Sequence, residues 1–324
     1  MGAETALVPT STTAIEIAIP GERARAYREK HGTKSPATLR AYVTDWRTFT
    51  AWMNARALPT LPSDYRAIED YVTHLAEEGS PGTEGKPSRV SSIERALASI
   101  AHHHRQAGIE WFPPLFLRET MKAIRRDLKV APKKKKAVTI EILRSIVAAA
   151  QSPRDRAIVL LGWNGAMRRS EVVKLDVSDI TFEPEGLTIT LRGSKTDQEG
   201  HGETIGIHKA KRDPILCPMV ALRAHLDTSG IAEGPIFRNR SGGRLSGEAV
   251  AELVQRLAKR AGFENAEELF GGHSLRSGLA TSAAKAGKGE RSVMRHGRWR
   301  NEKVARGYYQ IATVFEDNPT EDLL

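Results

Sequence analysis

The sequence predicts a mainly helical chain of two domains, the second of which contains one small antiparallel β-hairpin. Its 324 residues are enough for two cores, since domains usually contain roughly 100–200 residues. Apolar residues recur every three or four positions through most of the chain, which is the spacing of amphipathic helices. Strict alternation is confined to a stretch near residue 190, and a lysine run interrupts the helical pattern near residue 133.

The first domain is expected to be all α-helical. The stretch SPATLRAYVTDWRTFTAWMNAR begins at Ser35 and has one apolar helical face. That face is formed by Leu39, Tyr42, Val43, Trp46, Phe49 and Trp52. Two further helices are predicted to end at Gly79 and Gly108, because glycine commonly follows the last helical turn. A fourth helix completes a domain of residues 21–130, which follows a disordered arm of residues 1–20.

Residues 131–137 are predicted to link the two domains. Pro132 is followed by four lysines, which cannot lie in an apolar core. A run of like charges is typical of a solvated segment. The alternative is that it follows a phosphate backbone, and the candidate contacts are then Lys133, Lys134, Lys135 and Lys136.

The second domain, residues 138–310, has a helical pattern on both sides of the hairpin. Residues 139–150 and 153–180 are predicted to form helices that pack on each other. Leu187 and Ile189 then fall on one side of a strand, and Ile205 and Ile207 on one side of its return strand. This period of two predicts a β-hairpin with a long polar loop.

The composition indicates a polyanionic partner. The formal net charge is +10 and the pI is about 9.7, which points to nucleic acid or an acidic membrane surface. No apolar run reaches the roughly 18 residues of a membrane span, so no membrane partner is expected. The N-terminus lacks the basic leader of a secretory signal. A single cysteine, Cys217, fits a reducing compartment, and a cytoplasmic location is expected.

Two motifs resemble cofactor sites but fail on their geometry. Consecutive histidines at 102–104 point about 100° apart on a helix and cannot close on one metal ion. The stretch EEGSPGTEGKPS resembles a phosphate-binding loop, but its glycines are wrongly spaced and Pro87 stands where Ser or Thr is needed. The sequence has no acidic cluster suited to magnesium. We therefore expect no metal and no cofactor.

Phosphoryl transfer without a metal needs cations for the non-bridging oxygens, a nucleophile, and an acid for the leaving oxygen. The stretch GGHSLRSG places His273 and Arg276 one helical turn apart, so both can face one phosphate. Upstream, GAMRRSE holds Arg168 and Glu171 at the same spacing, and the carboxylate is suited to orienting a neighbouring group. Lys195, in the hairpin loop, is placed to deliver a proton.

Tyr308 or Tyr309 is the candidate nucleophile. Taken singly, each of these residues has an ordinary structural explanation, such as a surface salt bridge, a solvated loop lysine or a packed tyrosine. The order and spacing of the whole set favour a catalytic interpretation.

These residues resemble the signature of the tyrosine recombinase (phage integrase-like) family, which runs Arg, Lys, His-x-x-Arg, His or Trp, and Tyr. The matching residues are Arg168, Lys195, His273, Arg276, Trp299 and Tyr308. Tyr308 follows Trp299 by the family's usual nine residues, which selects it over Tyr309. The helix at Ser35 also resembles the start of the family's core-binding domain, and the compact length resembles two-domain members of the Cre-like or Xer-like kind.

The sequence departs from the family pattern at Trp299, where most members have histidine. An indole N–H donates a hydrogen bond but cannot give up its proton as an imidazolium does. General acid catalysis is therefore expected to fall more heavily on Lys195. The sequence GAM before Arg168, in place of Gly-Leu, is a mild change that should not affect the assignment.

The resemblance implies site-specific DNA recombination through a 3′-phosphotyrosyl intermediate, without metal or ATP. Arg168, Arg276 and Trp299 are then expected to hold the scissile phosphate. His273 would take the proton of the tyrosine, and Lys195 would protonate the leaving 5′-oxygen.

The expected partner is a double-stranded recombination site, bound by four protomers on paired sites. Without DNA we expect a monomer or weak dimer, and on DNA an association with the nucleoid. The tail, residues 311–324, is expected to be exchanged between protomers, and the need for accessory proteins stays open. Candidate DNA contacts in the first domain are Arg40, Arg47, Arg89, Arg95, Lys122 and Arg125.

Two other functions remain possible on the sequence alone. A type IB topoisomerase uses the same phosphotyrosine chemistry but relaxes supercoils without joining sites. A basic DNA-binding regulator without catalytic activity would explain the net charge. It would leave the ordered set of residues unexplained.

Overall fold

The computed structural model describes residues 34–81, 85–128, 135–192 and 202–312, with side chains up to residue 310. The chain divides into two units, Met1–Pro132 and Lys133–Leu324, and each is described by itself. Helices dominate both units, and the sheet of the second unit is small and antiparallel. The predicted fold class is therefore confirmed.

The described part of the first unit consists of helices α1 (Pro36–Asn54), α2 (Tyr65–Glu77), α3 (Val90–Gln106) and α4 (Leu115–Asp127). The side chains of Ser35 and Asp64 accept hydrogen bonds from backbone N–H groups in the first turns of α1 and α2. Gly79 and Gly108 follow α2 and α3 with positive φ, as predicted, because glycine adopts this conformation without a side-chain clash. The described residues of this unit contain no strand.

The buried face of α1 differs in two residues, Val43 and Met53, from the face that the sequence predicts. Tyr42, Phe49 and Met53 are buried, and Trp46 packs against the same core. Val43 is 63% exposed, so its assignment to the buried face is wrong. The physical reason is that adjacent helix residues point about 100° apart, and the core lies on the Tyr42 side.

The three consecutive histidines at the end of α3 have structural roles. His104 is buried, and its Nε2 accepts a hydrogen bond from the N–H of Ser63 at 3.0 Å. Its Nδ1 donates to the carbonyl of Ile100 at 2.9 Å. His103 stacks on Trp46 with ring centroids 4.3 Å apart. Nowhere in the described residues do three metal-ligating side chains form a group.

The second unit contains nine helices within the described residues, and the central one, α6, is buried on nearly all sides. Residues 157–163 of α6 are buried without interruption, as expected for a helix in the centre of a core. The helices are α5 (Ile140–Ala149), α6 (Pro153–Asn164), α7 (Arg169–Lys174), α8 (Pro218–Ser229), α9 (Gly247–Arg260), α10 (Ala266–Leu269), α11 (Ser274–Lys285), α12 (Glu290–Gly297) and α13 (Glu302–Ala312).

The sheet has three antiparallel strands in the order β1 (Ile180–Glu183), β2 (Gly186–Leu191) and β3 (Glu203–His208). Leu187 lies opposite Ile207 and Ile189 opposite Ile205, so the predicted hairpin is confirmed. The sequence pattern does not predict β1, because four residues are too few to show a clear alternation. Lys195 and the rest of residues 193–201 lie outside the described residues.

Two expectations from composition also concern the fold. Across the described ranges, no helix combines the length and the apolar character needed to cross a bilayer. Cys217 is a buried free cysteine, as its small apolar side chain favours.

Candidate active site

The turn between α6 and α7 positions Arg168. The turn is closed by two backbone hydrogen bonds of 2.9 Å, from Gly165 to Leu161 and from Met167 to Gly162. Ala166, between them, is fully buried and has a φ of +44°. This left-handed conformation costs a residue with a β-carbon about 1–2 kcal/mol. The stretch GAM stands where the family pattern has Gly-Leu, and this change looks mild in the sequence. In the structure its alanine, Ala166, carries backbone strain next to Arg168.

Glu171 holds Arg168 in place from the first turn of α7. Its Oε2 accepts the backbone N–H of Arg168 at 2.9 Å, and its Oε1 accepts a hydrogen bond from Nη1 of the same residue. Glu171 is buried, and burial alone would raise its pKa. The charges of Arg298 and Arg168, with the hydrogen bonds from Arg168, hold the pKa below its usual value. The carboxylate is therefore ionised at neutral pH.

The glycines around His273 and Arg276 permit close packing at the start of α11. A β-carbon on Gly278 would lie 2.0 Å from the carbonyl oxygen of Val138, and one on Gly272 would lie 2.6 Å from the side chain of Arg169. Both distances are shorter than any real carbon contact, so no larger residue fits without movement. The glycine-framed motif therefore lets this segment approach its neighbours closely.

Arg276 is the largest of the fully buried side chains. Its Nη1 donates to the carbonyl of Ala166 at 2.5 Å, whereas its Nη2 is buried without a hydrogen-bond partner among the described residues. Burial, followed by the charges of Arg168 and Arg298, lowers its pKa to about 10. The guanidinium stays protonated at neutral pH and keeps one N–H donor unused. Both properties are expected of a side chain that binds an anion.

Trp299 contacts both Arg276 and Tyr308. The guanidinium of Arg276 lies 4.3 Å from the centre of the indole ring, within the range of a cation–π interaction. The rings of Trp299 and Tyr308 are 5.6 Å apart at an angle of 55°. A β-carbon on Gly297 would lie 1.7 Å from the indole ring, so this glycine leaves the space that the ring fills.

The two adjacent tyrosines of α13 lie in different surroundings. Burial raises the pKa of Tyr308, and the positive charge of Arg276 partly counters this. The hydroxyl of Tyr309 donates to the carbonyl of Lys288 at 2.5 Å, and this side chain is less enclosed. Tyr308 contacts the aromatic ring of Trp299 and is within reach of the charge of Arg276.

His273 and His296 both have a lowered pKa. For His273, which reaches the surface, the causes are partial loss of hydration and then the charges of Arg276, Arg168 and Arg169. For His296 the main cause is burial. Its Nε2 donates to the carbonyl of Asn164 at 2.6 Å. His296 therefore holds α12 against the end of α6. His273 instead lies near Arg276 and Arg168 as a neutral imidazole.

Arg298 is a buried member of the site that sequence reasoning misses. It adopts a left-handed conformation, with φ 57°, and its Nη2 donates to Glu171 at 2.7 Å. In the sequence it is one of two arginines between His296 and Asn301, and nothing in the local pattern separates a buried arginine from an exposed one.

The candidate DNA contacts of the first unit fall into two groups. Arg40, Arg47, Arg89 and Lys122 are exposed, and no ion pair joins them to another described residue. Arg95 instead forms two hydrogen bonds with Asp45, at 2.7 and 3.0 Å, and Arg125 forms one with Glu94 at 2.8 Å.

The lysines of the predicted linker are only partly described. Lys133 and Lys134 lie outside the described residues. The Nζ of Lys135 donates to the carbonyls of Glu267 and Glu268, both at 2.8 Å, which is a favourable place for a cation at the end of α10. Lys136 is exposed and lies 5.8 Å from the ring of Phe263.

Sequence comparison finds relatives that span most of the chain. The phage integrase family model matches residues 136–313. An integrase/recombinase XerD homolog of Selenomonas ruminantium is 34% identical over 309 residues, which are 91% of this chain and 87% of the relative. Recombinase Cre of Escherichia phage P1 is 23% identical over 303 residues, 85% of this chain and 84% of the relative.

Solved structures of similar fold include integrases with DNA. A Tn1549 transposon integrase in complex with circular intermediate DNA has a TM-score of 0.61 at 14% identity, and covers 88% of this chain and 93% of its own. A lambda integrase dimer bound to a COC′ core site has a TM-score of 0.57 at 17% identity, with the same coverage of both chains. At this identity the likeness shows the fold.

The residues gathered at the site and the fold define a DNA strand-transfer enzyme. The chain belongs to the phage integrase family and is a tyrosine recombinase, with Xer-type relatives. It is a site-specific recombinase that cleaves and rejoins DNA strands. The comparisons give no support to the topoisomerase alternative, and the enzyme assignment excludes the regulator without catalytic activity.

The conformation of Ala166 leads to a stability prediction. Ala166→Gly is expected to leave the free energy of unfolding of the second unit unchanged or raise it by up to about 1 kcal/mol, because relief of strain offsets the lost methyl group. The control Ala157→Gly removes an equally buried methyl from the interior of α6 and should destabilise by about 1–2 kcal/mol. Urea unfolding followed by hydrogen exchange in this unit measures both. Equal losses would contradict the strain assigned to Ala166.

Proposed function

We propose that Tyr308 is the nucleophile that becomes covalently linked to DNA, and that Arg168 and Arg276 hold the scissile phosphate. The observation that carries the proposal is the buried, unpartnered Nη2 of Arg276 in a side chain that also contacts Trp299, which in turn packs on Tyr308. A buried donor without a partner is unfavourable in the free protein. A phosphate oxygen is the natural acceptor for it.

The charges of the site support an anionic ligand. Arg168, Arg276 and Arg298 lie in or beside the site, and the buried carboxylate that offsets them is Glu171. Burial is the main reason that the pKa of Arg276 is lowered, and repulsion from the charges of Arg168 and Arg298 adds to it. A phosphodiester carries one negative charge, so its binding relieves this repulsion. The same groups then stabilise the additional charge of the pentacovalent transition state.

In the proposed reaction the phenol oxygen of Tyr308 attacks the scissile phosphorus and the bond to the 5′-oxygen breaks. His273 accepts the phenol proton, and Lys195 gives a proton to the leaving 5′-oxygen. The products are a 3′-phosphotyrosyl bond and a free 5′-hydroxyl. A 5′-hydroxyl from the partner duplex then attacks the phosphotyrosine and releases Tyr308. Because the phosphodiester energy is kept in the covalent intermediate, resealing requires no ATP.

The pKa shifts of Tyr308 and His273 suit this division of roles. The raised pKa of Tyr308 keeps the phenol protonated until a base is in position. The lowered pKa of His273 leaves the imidazole neutral at pH 7, which is the form that accepts a proton. Trp299 donates a hydrogen bond to the phosphate in this scheme and takes no part in proton transfer.

The first unit is proposed to bind the DNA duplex of the recombination site. Arg40, Arg47, Arg89 and Lys122 are the favoured contacts, because their charges are exposed and are not paired with described carboxylates. Arg95 and Arg125 would have to exchange Asp45 and Glu94 for phosphate or bases. Since the substrate is cellular DNA, the proposed place of action is the cytoplasm, in association with the nucleoid.

Four protomers on two paired sites form the proposed assembly, by analogy with a lambda integrase tetramer bound to a Holliday junction. The tail is proposed to dock on a neighbouring protomer. Its residues beyond α13 include Glu316, Asp317, Glu321 and Asp322. The open cavity between α12 and α13 is lined by five arginines and three glutamates. The resulting excess of positive charge complements the acidic tail and makes this cavity the proposed docking site.

The covalent step is tested by exchanging each tyrosine in turn. Tyr308→Phe is expected to abolish the covalent adduct with a nicked suicide substrate, because the attacking oxygen is removed. Tyr309→Phe, which removes the neighbouring hydroxyl, should retain the adduct. Denaturing gels with end-labelled DNA measure both, and sequencing of the trapped DNA gives the site. An adduct that survives in Tyr308→Phe would refute the assignment.

The role of His273 predicts a pH dependence of cleavage. A neutral imidazole is required, so the single-turnover rate should fall as the pH drops through the pKa of His273, which lies below the ordinary value of 6.5. His273→Gln is expected to be slow at every pH and to lack this acid limb. The control His296→Gln, which removes the other nearby imidazole, should keep it. An unchanged acid limb in His273→Gln would argue against the base assignment.

Removal of the tail tests the proposed exchange. Deleting residues 313–324 leaves α13 in place and is expected to weaken the pairing of two sites far more than binding to one site. Native gels with one and two labelled duplexes separate the two effects. In a matched variant of the full-length chain, the carboxylates of Glu316, Asp317, Glu321 and Asp322 are replaced by amides. This variant removes the negative charge of the tail but keeps its length. Equal losses in one-site and two-site binding would contradict exchange between protomers.

A further inference from the structure

Arg298 occupies a backbone position that suits glycine better than arginine. It follows α12 in a left-handed conformation, with φ 57° and ψ 42°, which glycine adopts without the penalty that a β-carbon brings. Its side chain is 4% exposed, so most of the hydration of its charge is also lost. Both penalties have to be offset by the contacts of the guanidinium.

The guanidinium of Arg298 donates to four acceptors. Nη2 donates to Glu171 at 2.7 Å and to the carbonyl of Ala166 at 3.4 Å. Nη1 donates to the carbonyls of Gly165 at 3.2 Å and His296 at 3.1 Å. These contacts join the end of α12 to the turn that precedes α7.

Two of the four acceptors are shared with the proposed phosphate clamp, Arg168 and Arg276. Glu171 accepts a hydrogen bond from Arg298 and two from Arg168. The carbonyl of Ala166 accepts from Arg298 and from Arg276. Arg298 is therefore separated from each clamp arginine by a single acceptor.

The sharing of Glu171 affects the charge of the clamp. With Arg298 present, the carboxylate divides its charge between two guanidinium groups. Without Arg298, the carboxylate would neutralise Arg168 alone, and less positive charge would face a phosphate. The Ala166 carbonyl would also lose one of the donors that fix its direction, and this carbonyl orients Arg276.

We propose that Arg298 is a positioning residue that sets the orientation and the net charge of the Arg168–Arg276 clamp. The inference rests on the proposed function of that clamp. Arg298 acts through Glu171 and the Ala166 carbonyl, and it contacts neither the phosphate nor the nucleophile.

The test uses Arg298→Gly, which removes the guanidinium while it improves the fit of the backbone. In single-turnover cleavage of a nicked suicide duplex, the rate constant for adduct formation is expected to fall about 10- to 100-fold, the range seen when partners that orient a first contact are lost. DNA affinity and the fraction of enzyme that reacts should stay unchanged. Arg298→Lys keeps the charge without the planar fork and should recover part of the rate.

Arg238→Ala is the matched control. It removes another partly buried guanidinium of the same unit, one that donates to the carbonyls of Pro235 and Glu233. This variant should lower the Tm without a change in the rate constant. If Arg298→Gly lowers only the Tm and the reactive fraction, as this control does, its role is structural and the proposal fails.

A second substrate shows whether Arg298 affects the phosphate clamp or the departure of the leaving group. A duplex with a 5′-bridging sulfur at the scissile position leaves as a thiolate, whose low pKa removes the need for a proton from Lys195. The defect of Arg298→Gly is expected to persist on this duplex. Full recovery would show that Arg298 acts on the leaving-group side, for example through Glu203 at the start of β3, 3.5 Å from its Nε, and would overturn the proposal.

The same experiment distinguishes this inference from the proposed function. A wild-type chain that forms no Tyr308-dependent adduct would overturn both. A wild-type chain that forms the adduct, with Arg298→Gly equally fast, would overturn the role of Arg298 alone.

Discussion

The carboxylate of Glu171 accepts hydrogen bonds from two arginines, Arg168 and Arg298, in a part of the second unit from which water is largely excluded. Buried cations are unfavourable unless they are paired and hydrogen-bonded. One buried carboxylate cannot neutralise three guanidinium groups, and the repulsion that remains adds to burial in lowering the pKa of Arg276. Backbone carbonyls supply most of the other acceptors. The ends of α6, α7 and α12 are thereby held at one point.

Backbone acceptors hold the proposed phosphate clamp, Arg168 and Arg276, in place without any substrate. The carbonyls of Gly165 and Ala166 belong to a buried turn whose direction is fixed by hydrogen bonds to α6. Donors that are fixed in advance need no reorganisation when charge develops on a phosphate, which is the main source of electrostatic catalysis. The backbone strain at Ala166 and Arg298 is consistent with a turn that is fixed in advance, because a strained backbone conformation persists where the surrounding structure imposes it.

The elements that sequence analysis predicted well are those with a long local pattern. Helices α1 to α4 and the β2–β3 hairpin follow from periodicity and from glycine stops, whereas β1 was too short to detect. Local patterns fail where burial depends on distant partners. Val43 is exposed because of where the core lies, and Arg298 is buried because Glu171, 127 positions earlier, accepts a hydrogen bond from its guanidinium. The grouping of the catalytic set was inferred from a family resemblance, since spacing alone gives no contact between residues so far apart.

Trp299 gives this site a pH response that differs from one built on histidine. The indole has no ionisable proton in the working range, so its contacts with Arg276 and Tyr308 keep the same strength from acid to alkaline pH. A histidine in its place would become cationic in acid and add to the repulsion that, together with burial, lowers the pKa of Arg276. With tryptophan there, the arginine cluster holds an unchanging number of charges. In the proposed mechanism, the pH dependence of cleavage then comes from the groups that exchange the tyrosine proton, Tyr308 and His273.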